Sequence, residues 1–382
     1  MLLKNARLAS GQPVDLLLKD GLIAAMGLDL AADGEEVLDC AGRTVLPAFV
    51  DLHCHWRTPG FEYKEDIAGG YTFVNLMPNT KPVCSSADIA HSVMAEAERI
   101  GLCAANQTVS ITQNFDGRTL DHLKTLPEDL KFITEDGKGV QSGNVMAKAF
   151  AIAAQRGLTI MSHAEDMDIS PWDYRLAENI ETVRNLHLSE YYGTRLHMCH
   201  VSTKEAVEAI GAAKWKGVPV TCEVTPHHLW FADTDYRVNP PIRKAEDVDA
   251  LIEAIRLGVV DAIATDHAPH TDEEKAAGAA GMVGLETAFG VCYTKLCKEK
   301  GLPLARLAEL MSTAPAEILG LAGHGRVLPG YAADLTLVEL DTPYTVDKNA
   351  LHSKSHNCPY DGAQLFGRVD LTIKGGKVTW KR

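Results

Sequence analysis

From Thr44 onward, short apolar segments alternate with segments whose apolar residues recur at helical spacing. The helical spacing is clear in ADIAHSVMAEAERIG, GNVMAKAFAIAAQRG and AEDVDALIEAIRLG. The apolar segments predict strands near residues 45–52, 71–76, 104–111, 130–134, 158–162, 195–199, 218–224 and 259–265. Eight such strand and helix units in succession predict an α/β fold, a (β/α)8 TIM-type barrel.

Polar residues follow the predicted strands at their C-terminal ends, where barrel enzymes place their chemistry. Strands that are buried on both faces have nearly continuous apolar sequences, as VLPAFV and VVDAIAT do here. The polar residues at or just after strand ends are His53, His55, Asn79, Asp136, His163, His200 and Asp266. Because the strand ends of a barrel meet at one face, we expect these side chains to share one site.

The two ends of the chain have a different pattern from the barrel. Residues 1–43 and 326–382 contain short strand-like segments broken by Gly and Asp. Chain ends commonly meet in space, so both segments predict one small β-sandwich module. Residues 44–325 then form the catalytic barrel domain.

Composition and charge narrow the class of function. Apolar residues at 46% and charged residues at 23% are typical of a globular protein with a large core. The net charge of −14 would repel a phosphate backbone, which argues against a nucleic-acid partner and favours a small-molecule substrate.

Cysteine usage and the N-terminus predict a cytoplasmic protein without a membrane partner. The nine cysteines are scattered and form no Cys-x-x-Cys pair, which argues against disulfides and against a thiolate zinc site. The N-terminal MLLKNARLASG has no signal-peptide pattern, and no apolar run approaches about 18 residues.

The histidines at the strand ends predict a metal centre. His53 and His55 are alternate residues of one strand and face the same side, so both reach one ion. Taken alone, a His-x-His pair is as often two hydrogen-bonded loop histidines, but donors at other strand ends favour metal. His163 and His200 are candidates for a second ion, with Asp136 between the two. Nitrogen and oxygen ligands favour zinc, with manganese or cobalt as substitutes.

Asp266 is the candidate catalytic base. At the end of the last strand its carboxylate could bind one ion and accept a proton from an activated water, although a helix N-cap is the simpler interpretation. Two ions about 3.5 to 4 Å apart would lower the pKa of a water and polarise a carbonyl, which suits amide hydrolysis.

Three donors near these ligands suit a substrate carboxylate: Arg57, Asn79 and His270. A solvated arginine and a turn asparagine are the ordinary alternatives for Arg57 and Asn79. Their positions directly after strand ends favour substrate binding.

Taken together, the segments DLHCHWRTPGFEYKED, MPNTKP, EDGKGV, SHAED, HVSTKEA, NPPIRKAEDVDAL, DAIATDHAPHTDEEK and SKSHNCPYDG resemble those of dihydroorotases in the amidohydrolase superfamily. The resemblance spans the chain, and it is to the class with an aspartate as bridging ligand. It implies two zinc ions, the first on His53, His55 and Asp266, the second on His163 and His200, with Asp136 on both. The substrate contacts that it implies are Arg57, Asn79, Asn239, His270, Ala280 and Gly281.

The reaction implied by this resemblance is the reversible cyclisation of N-carbamoyl-L-aspartate to L-dihydroorotate in pyrimidine biosynthesis. In the hydrolytic direction Asp266 would take a proton from the attacking water and pass it to the leaving nitrogen. Two segments, EYKEDI to GGYTFV and DEEKAAGAAGMVGLE, are shorter than the family pattern leads us to expect.

Two alternatives remain at this point. Hydantoinases, dihydropyrimidinases and allantoinases share the barrel and the histidines but usually bridge their metals with a carboxylated lysine, for which Lys131, Lys138 and Lys148 are candidates. A non-catalytic dihydroorotase-like scaffold is disfavoured because such chains commonly lack ligands that this sequence retains. The sequence leaves a homodimer open.

Overall fold

A computed structural model describes residues 1–56 and 68–382 of the chain, and Arg57 lies outside them. The strands of the described residues are β1 (Leu2–Arg7), β2 (Pro13–Lys19), β3 (Leu22–Gly27), β4 (Val37–Asp39), β5 (Thr44–Pro47), β6 (Phe49–Cys54), β7 (Tyr71–Leu76), β8 (Ala104–Gln107), β9 (Val109–Ser110), β10 (Phe132–Thr134), β11 (Thr159–Ser162), β12 (Arg195–Met198), β13 (Val220–Val224), β14 (Ala262–Ile263), β15 (Leu335–Glu339), β16 (Tyr344–Thr345), β17 (Gln364–Leu365), β18 (Arg368–Lys374) and β19 (Lys377–Lys381). Their α-helices are α1 (Ala87–Ile100), α2 (Gly143–Arg156), α3 (Tyr174–Tyr192), α4 (Lys204–Trp215), α5 (Pro226–Trp230), α6 (Ala245–Arg256), α7 (Asp272–Ala276), α8 (Leu285–Cys292), α9 (Leu304–Ala308) and α10 (Ala314–Leu319).

Parallel strands β6 to β14 form the barrel that the sequence predicts. One group pairs in the order β6, β7, β8 and the other in the order β9 to β14. Strands β8 and β9 are consecutive pieces of one predicted strand, separated by Thr108. The ring closes where the backbone N–H of His55 donates to the carbonyl of His267 at 2.9 Å. The closure puts the first and last strand ends side by side.

The crossover helices follow from local sequence signals. Helices α1 and α2 begin after Ser86 and Ser142, whose hydroxyls accept backbone N–H groups of the first turn. Both end at a glycine in the left-handed conformation, Gly101 and Gly157. Their inner faces pack on the barrel through residues such as Phe150, which is fully buried. The three helices predicted from spacing therefore appear at the expected places.

Both chain ends build a separate β-sheet beside the barrel. Its strands pair in the order β19, β18, β15, β5, β1, β2, β3, with β4 against β1. Its core joins side chains from the two ends, including Leu3, Leu16, Leu335 and Ile373. Burying these apolar side chains together holds the two termini in one sheet.

The first predicted barrel strand needs a correction, because residues 45–52 are not one strand. Thr44–Pro47 pairs with β1 and β15 in the terminal sheet, and only Phe49–Cys54 belongs to the barrel. One continuous apolar sequence serves both sheets, so hydrophobicity alone gave no sign of the break at Ala48. We therefore propose Ala48 as the boundary between the terminal module and the barrel.

All nine cysteines lie in the described residues and none of them forms a disulfide there; eight are buried and Cys297 is half-buried. No helix in residues 1–56 and 68–382 combines the length and apolar character that a membrane crossing requires.

The contact between Gly69 and the α8 start provides a test of the packing. A Cβ on Gly69 would overlap the Leu285 carbonyl, whose carbon would lie 2.8 Å away. Because a backbone carbonyl cannot rotate aside, Gly69→Ala should destabilise the protein by about 1–3 kcal/mol, measured as a lower Tm. Gly143→Ala is the matched control, since nothing lies within 4 Å of its added methyl group. Equal Tm values for the two variants would contradict this packing.

Candidate active site

The strand ends bring six predicted ligands together at one end of the barrel. The Nε2 of His53 lies 3.3 Å from Asp136 Oδ1 and 3.5 Å from Asp266 Oδ1. The Nε2 of His55 lies 3.3 Å from Asp266 Oδ1 and 3.6 Å from Asp136 Oδ2. Both histidines of the first strand therefore face both carboxylates.

The remaining two histidines lie on the other side of Asp136. The Nδ1 of His163 is 3.7 Å from Asp136 Oδ1 and 2.9 Å from the Nε2 of His200. Ligand atoms lie within 4.8 Å of one another in two groups that match parts of the predicted set: His53 with His55 and Asp266, and His53 with Asp136 and His200. Asp136 thus lies between the two predicted ion positions.

Backbone conformation turns two of these side chains into the site. His200 and Asp266 have φ values of 34° and 49°, in the left-handed region that non-glycine residues seldom adopt. Each directly follows the end of its barrel strand or lies within a few residues of it. Such strain persists only where the surrounding structure enforces it, and it is concentrated at functional sites.

Each of three histidines makes a hydrogen bond with one ring nitrogen to a neighbouring side chain, and this bond determines that the other ring nitrogen faces the site. The Nδ1 of His53 faces the Glu223 carboxylate at 3.1 Å, and the Nδ1 of His55 faces Asn79 Oδ1 at 2.8 Å. Since both partners only accept, each Nδ1 carries a proton and each Nε2 faces the carboxylates, where it offers a lone pair when the ring is neutral. For His163 the partner is Glu165, 3.0 Å from Nε2, so Nδ1 is the nitrogen that faces His200 and Asp136.

These contacts test whether the residues fit a metal. The buried Nε2 of His53 has no hydrogen-bond partner among the described residues. His163 and His200 bring two nitrogens to 2.9 Å. Lone pairs that converge in this way, each ring oriented by a carboxylate or amide, are the arrangement of histidine metal ligands. The residues present fit a metal centre.

Buried negative charge supports the same conclusion. Burial raises the pKa of Asp136, but the adjacent His53, His55 and His163 outweigh it and hold the pKa well below its ordinary value. Burial likewise raises the pKa of Glu223, yet hydrogen bonds from His197 and His53 bring it to about 2. Ionised carboxylates this deep in a protein require cationic partners.

Cys199 lies close to His53 and Glu223 and was not among the predicted ligands. Burial raises the pKa of its thiol to about 12. The six predicted ligands offer nitrogen and oxygen donors.

A cavity of about 220 Å³ opens above the ligands. It is lined by His55, Asn79, Asp136, Gly137, His163, His200, Asn239, Asp266, Ala268, His270, Ala280 and Gly281. Five of the six predicted ligands and every predicted substrate contact in the described residues belong to this lining, and His53 is fully buried.

Two predicted substrate contacts are tied to residues of the metal centre. The Asn79 amide nitrogen donates to Asp136 Oδ2 at 2.8 Å while its oxygen holds His55. The Asn239 amide donates to Glu165 at 3.2 Å. Both amides therefore orient the ligand shell from the cavity wall.

The loop from Ala268 to Gly281 forms the remaining wall. His270 Nε2 donates to the carbonyl of Ala280 at 2.8 Å, and its Nδ1 lies 3.0 Å from Glu274. Gly281 has φ 131°, and a Cβ there would come within 2.7 Å of the Ala268 methyl group. Glycine at this position lets the two arms of the loop approach each other.

Sequence reasoning missed three residues of this site: Glu165, Glu223 and Asn357. Glu223 had a detectable signal, since it is the charged residue inside the mostly apolar strand VTCEV, and its side chain is fully buried in the structure. The Nε2 of His197 lies 2.9 Å from the other oxygen of the Glu223 carboxylate. Asn357 gave no such signal, because it comes from the terminal segment more than 70 residues after the loop that it holds.

Comparison with known proteins identifies the family of this chain and several of its relatives. Residues 44–379 match the family model described as "Amidohydrolase family". A protein named dihydroorotase from Clostridium botulinum (strain Eklund 17B / Type B) is 46% identical over 397 residues, with both chains covered completely. Another dihydroorotase, from Trichlorobacter lovleyi, is 38% identical and covers 96% of this chain and 95% of its own.

Solved structures agree on the fold. An L-hydantoinase (dihydropyrimidinase) from Arthrobacter aurescens has a TM-score of 0.89 and 26% identity, covering 99% of this chain and 95% of its own. A dihydropyrimidinase from Brevibacillus agri NCHU1002 has a TM-score of 0.86 and 21% identity, covering 99% and 94%. This chain belongs to the amidohydrolase family, whose members are metal-dependent enzymes.

Removing the charge behind His53 should weaken metal binding without unfolding the chain. Glu223→Gln keeps the shape but loses the carboxylate that fixes the His53 tautomer, so zinc affinity should fall about 10- to 100-fold. Competition with a chromophoric chelator measures it. Glu253→Gln, on the outer surface of α6, is the control and should bind as the wild type does. Unchanged affinity in Glu223→Gln would refute the role of this carboxylate.

Removing the Asn357 side chain should loosen the cavity wall. Its amide donates to the carbonyls of Ala268 and Gly281 at 3.1 and 3.2 Å, and its oxygen accepts the backbone N–H of His270 at 3.4 Å. Asn357→Ala leaves these buried groups unpaired at about 1–3 kcal/mol, so amides of residues 268–283 should exchange hydrogen faster.

Exchange mass spectrometry checks this, with exposed Asn349→Ala as the matched control. Zinc affinity should stay unchanged in Asn357→Ala, because none of its contacts is a metal ligand. Wild-type exchange rates in residues 268–283 would contradict the positioning role.

Proposed function

We propose that this enzyme is a dihydroorotase, which catalyses the reversible cyclisation of N-carbamoyl-L-aspartate to L-dihydroorotate in de novo pyrimidine biosynthesis. The observation that carries the proposal is the aspartate between the two histidine pairs, on a chain 46% identical over its full length to a dihydroorotase. N-carbamoyl-L-aspartate is a small molecule, consistent with a cavity of about 220 Å³.

Two zinc ions are the proposed cofactors. His53, His55 and Asp266 would hold the first and His163 and His200 the second, with Asp136 shared. When bound, they supply a water activated near neutral pH and a polarised substrate carbonyl. Nitrogen and carboxylate donors without thiolate suit zinc.

Asp266 has the position for proton transfer. Its side chain lies at the cavity surface, and its Oδ1 is within 3.5 Å of both histidines of the first strand. In ring opening the carboxylate takes the proton of the attacking water and gives it to the ring nitrogen as the C–N bond breaks. In ring closure the same carboxylate moves the proton in the opposite direction.

The free carboxylate common to both compounds is assigned to Arg57, Asn79 and His270. His270 and Asn79 both line the cavity, on segments that follow the eighth and second barrel strands. With Asn239 and the Ala280–Gly281 backbone they would orient the substrate above the metals. Arg57 enters this assignment through the sequence alone, from its position after the first strand end and from the family resemblance.

The hydantoinase alternative meets an obstacle in the described residues. An enzyme of that kind would usually bridge its metals with a carboxylated lysine, but Lys131, Lys138 and Lys148 are all exposed and none lines the cavity. Lys138 instead lies 5.6 Å from the Phe115 ring. Asp136 takes the central position. The non-catalytic scaffold is disfavoured because the complete ligand set converges.

We further propose that the enzyme is cytoplasmic and that it binds neither nucleic acid nor membranes, as the sequence predicts.

Turnover of dihydroorotate by the zinc-loaded protein tests the proposed function. Ring opening and closure should both be visible spectroscopically, whereas hydantoin and allantoin should react at least 100-fold more slowly. Efficient turnover of hydantoin without turnover of dihydroorotate would contradict the dihydroorotase proposal and favour the hydantoinase alternative.

Loss of the proposed proton carrier tests the mechanism. Asp266→Ala should keep the far-UV circular dichroism of the wild type and reduce kcat at least 10²-fold, because no other group then carries the proton. Asp233→Ala, at a surface turn, is the control and should keep the wild-type kcat. A near-normal rate in Asp266→Ala would show that another group transfers the proton.

A further inference from the structure

Lys275 has an unusual environment for a lysine on a short surface helix. The three residues before it, Asp272–Glu274, are all acidic and form the first turn of α7. A surface lysine ordinarily extends its ammonium into water or toward such charges. Lys275 is instead half-buried, and its ammonium contacts the loop from Ala268 to Gly281 that forms one wall of the cavity.

All three donors of the Lys275 ammonium go to backbone carbonyls. The Nζ donates to the carbonyl of Ala279 at 2.9 Å and to that of Gly281 at 2.8 Å. It also donates to the carbonyl of Arg237 at 3.0 Å. An ammonium has three N–H groups, so these bonds use all of them. The Tyr236 ring, with its centroid 4.6 Å from Nζ, covers another side of the charge.

This arrangement leaves the charge of Lys275 without a carboxylate partner among the described residues. Burial lowers the pKa of Lys275, and the neighbouring Arg237 lowers it further. Charged side chains that are removed from water are normally paired with an opposite charge. Two cations beside the cavity therefore favour an anionic ligand there, although the whole chain carries a net charge of −14.

The peptide group between Ala279 and Ala280 connects Lys275 to the cavity. This peptide is trans, so its C=O and N–H point in opposite directions. Because the C=O accepts from Lys275, the N–H of Ala280 points away from the lysine, and it has no acceptor in the described part of the chain. Ala280 itself lines the cavity. A cation on the carbonyl oxygen polarises the peptide and makes its N–H a stronger donor.

The carbonyl oxygens of the same wall are all engaged. That of Ala279 accepts from Lys275, and that of Ala280 accepts from His270 Nε2 at 2.8 Å. The Gly281 carbonyl accepts from both Lys275 and the Asn357 amide. Carbonyl oxygens repel an anion, so three successive carbonyls held by donors prepare this wall for a carboxylate.

We propose that Lys275 is a positioning residue for substrate recognition. It orients and polarises the Ala279–Ala280 peptide so that the Ala280 N–H binds the free carboxylate of the substrate. The inference rests on the proposed function, which supplies a substrate with that carboxylate. Since this group is unchanged between N-carbamoyl-L-aspartate, L-dihydroorotate and the transition state, loss of Lys275 weakens binding equally throughout the reaction and raises KM alone.

Steady-state kinetics of Lys275→Met on L-dihydroorotate test the inference. The variant loses the charge and its three donors, so KM should rise about 10-fold while kcat stays within about twofold of the wild type. Lys275→Arg keeps the charge and the donors and should restore most of the affinity. Lys216→Met is the matched control, because it removes the same charge from the exposed end of α4 and should leave both constants unchanged.

Dihydrouracil separates recognition of the carboxylate from general damage to the loop, because it has the ring of dihydroorotate without the carboxylate. Its competitive inhibition constant should be the same for the wild type and Lys275→Met. If dihydrouracil binding weakened by the same factor as dihydroorotate binding, or if kcat fell with KM unchanged, Lys275 would only hold the loop and the inference would be wrong.

A second variant keeps the test decisive where Lys275→Met folds poorly. Lys275→Gln retains an amide donor without the charge and should show the same rise in KM. Wild-type turnover of dihydroorotate combined with an unchanged KM in these variants would overturn this inference and leave the proposed function intact. A zinc-loaded wild type that does not turn over dihydroorotate would overturn the proposed function and this inference together.

Discussion

The structure depends on one electrostatic requirement, which is that buried carboxylates at the barrel end must be balanced by positive charge. Asp136 and Glu223 are buried and stay ionised because histidines surround them. Those histidines in turn direct their remaining ring nitrogens inward, and the Nε2 of His53 has no hydrogen-bond partner among the described residues. Cations held by the imidazoles and carboxylates would satisfy both sets of groups at once.

The barrel meets this requirement because its topology collects residues that are far apart in sequence. His53 and Asp266 come from the first and last strands, which become neighbours only when His55 and His267 close the ring. The positive φ of Asp266 then turns its carboxylate toward the cluster. Support comes from outside the barrel as well, through Asn357 near the C-terminus.

The sequence identified site residues correctly where a residue type at a given position has only one ordinary explanation. Buried strands are apolar, so a histidine or aspartate at their ends stood out, and His53, Asp136 and Asp266 were identified on that basis. The sequence did not settle the structure where the same apolar pattern fits two different arrangements. The apolar residues 45–52 serve two sheets, and the exposed apolar residues of α3 have the spacing that an inward-facing helix would also show. Asn357 contributes through long-range hydrogen bonds that no local pattern records.

The central claim is that a pair of cations, shared by Asp136, completes this charge balance. The most direct measurement is the zinc stoichiometry of the purified protein by mass spectrometry and calorimetric titration, compared with that of Asp136→Ala. The account predicts two zinc ions per wild-type chain and a large loss of affinity at both positions in the variant. A folded wild type that binds no divalent cation, or an Asp136→Ala chain that binds two as tightly, would contradict it.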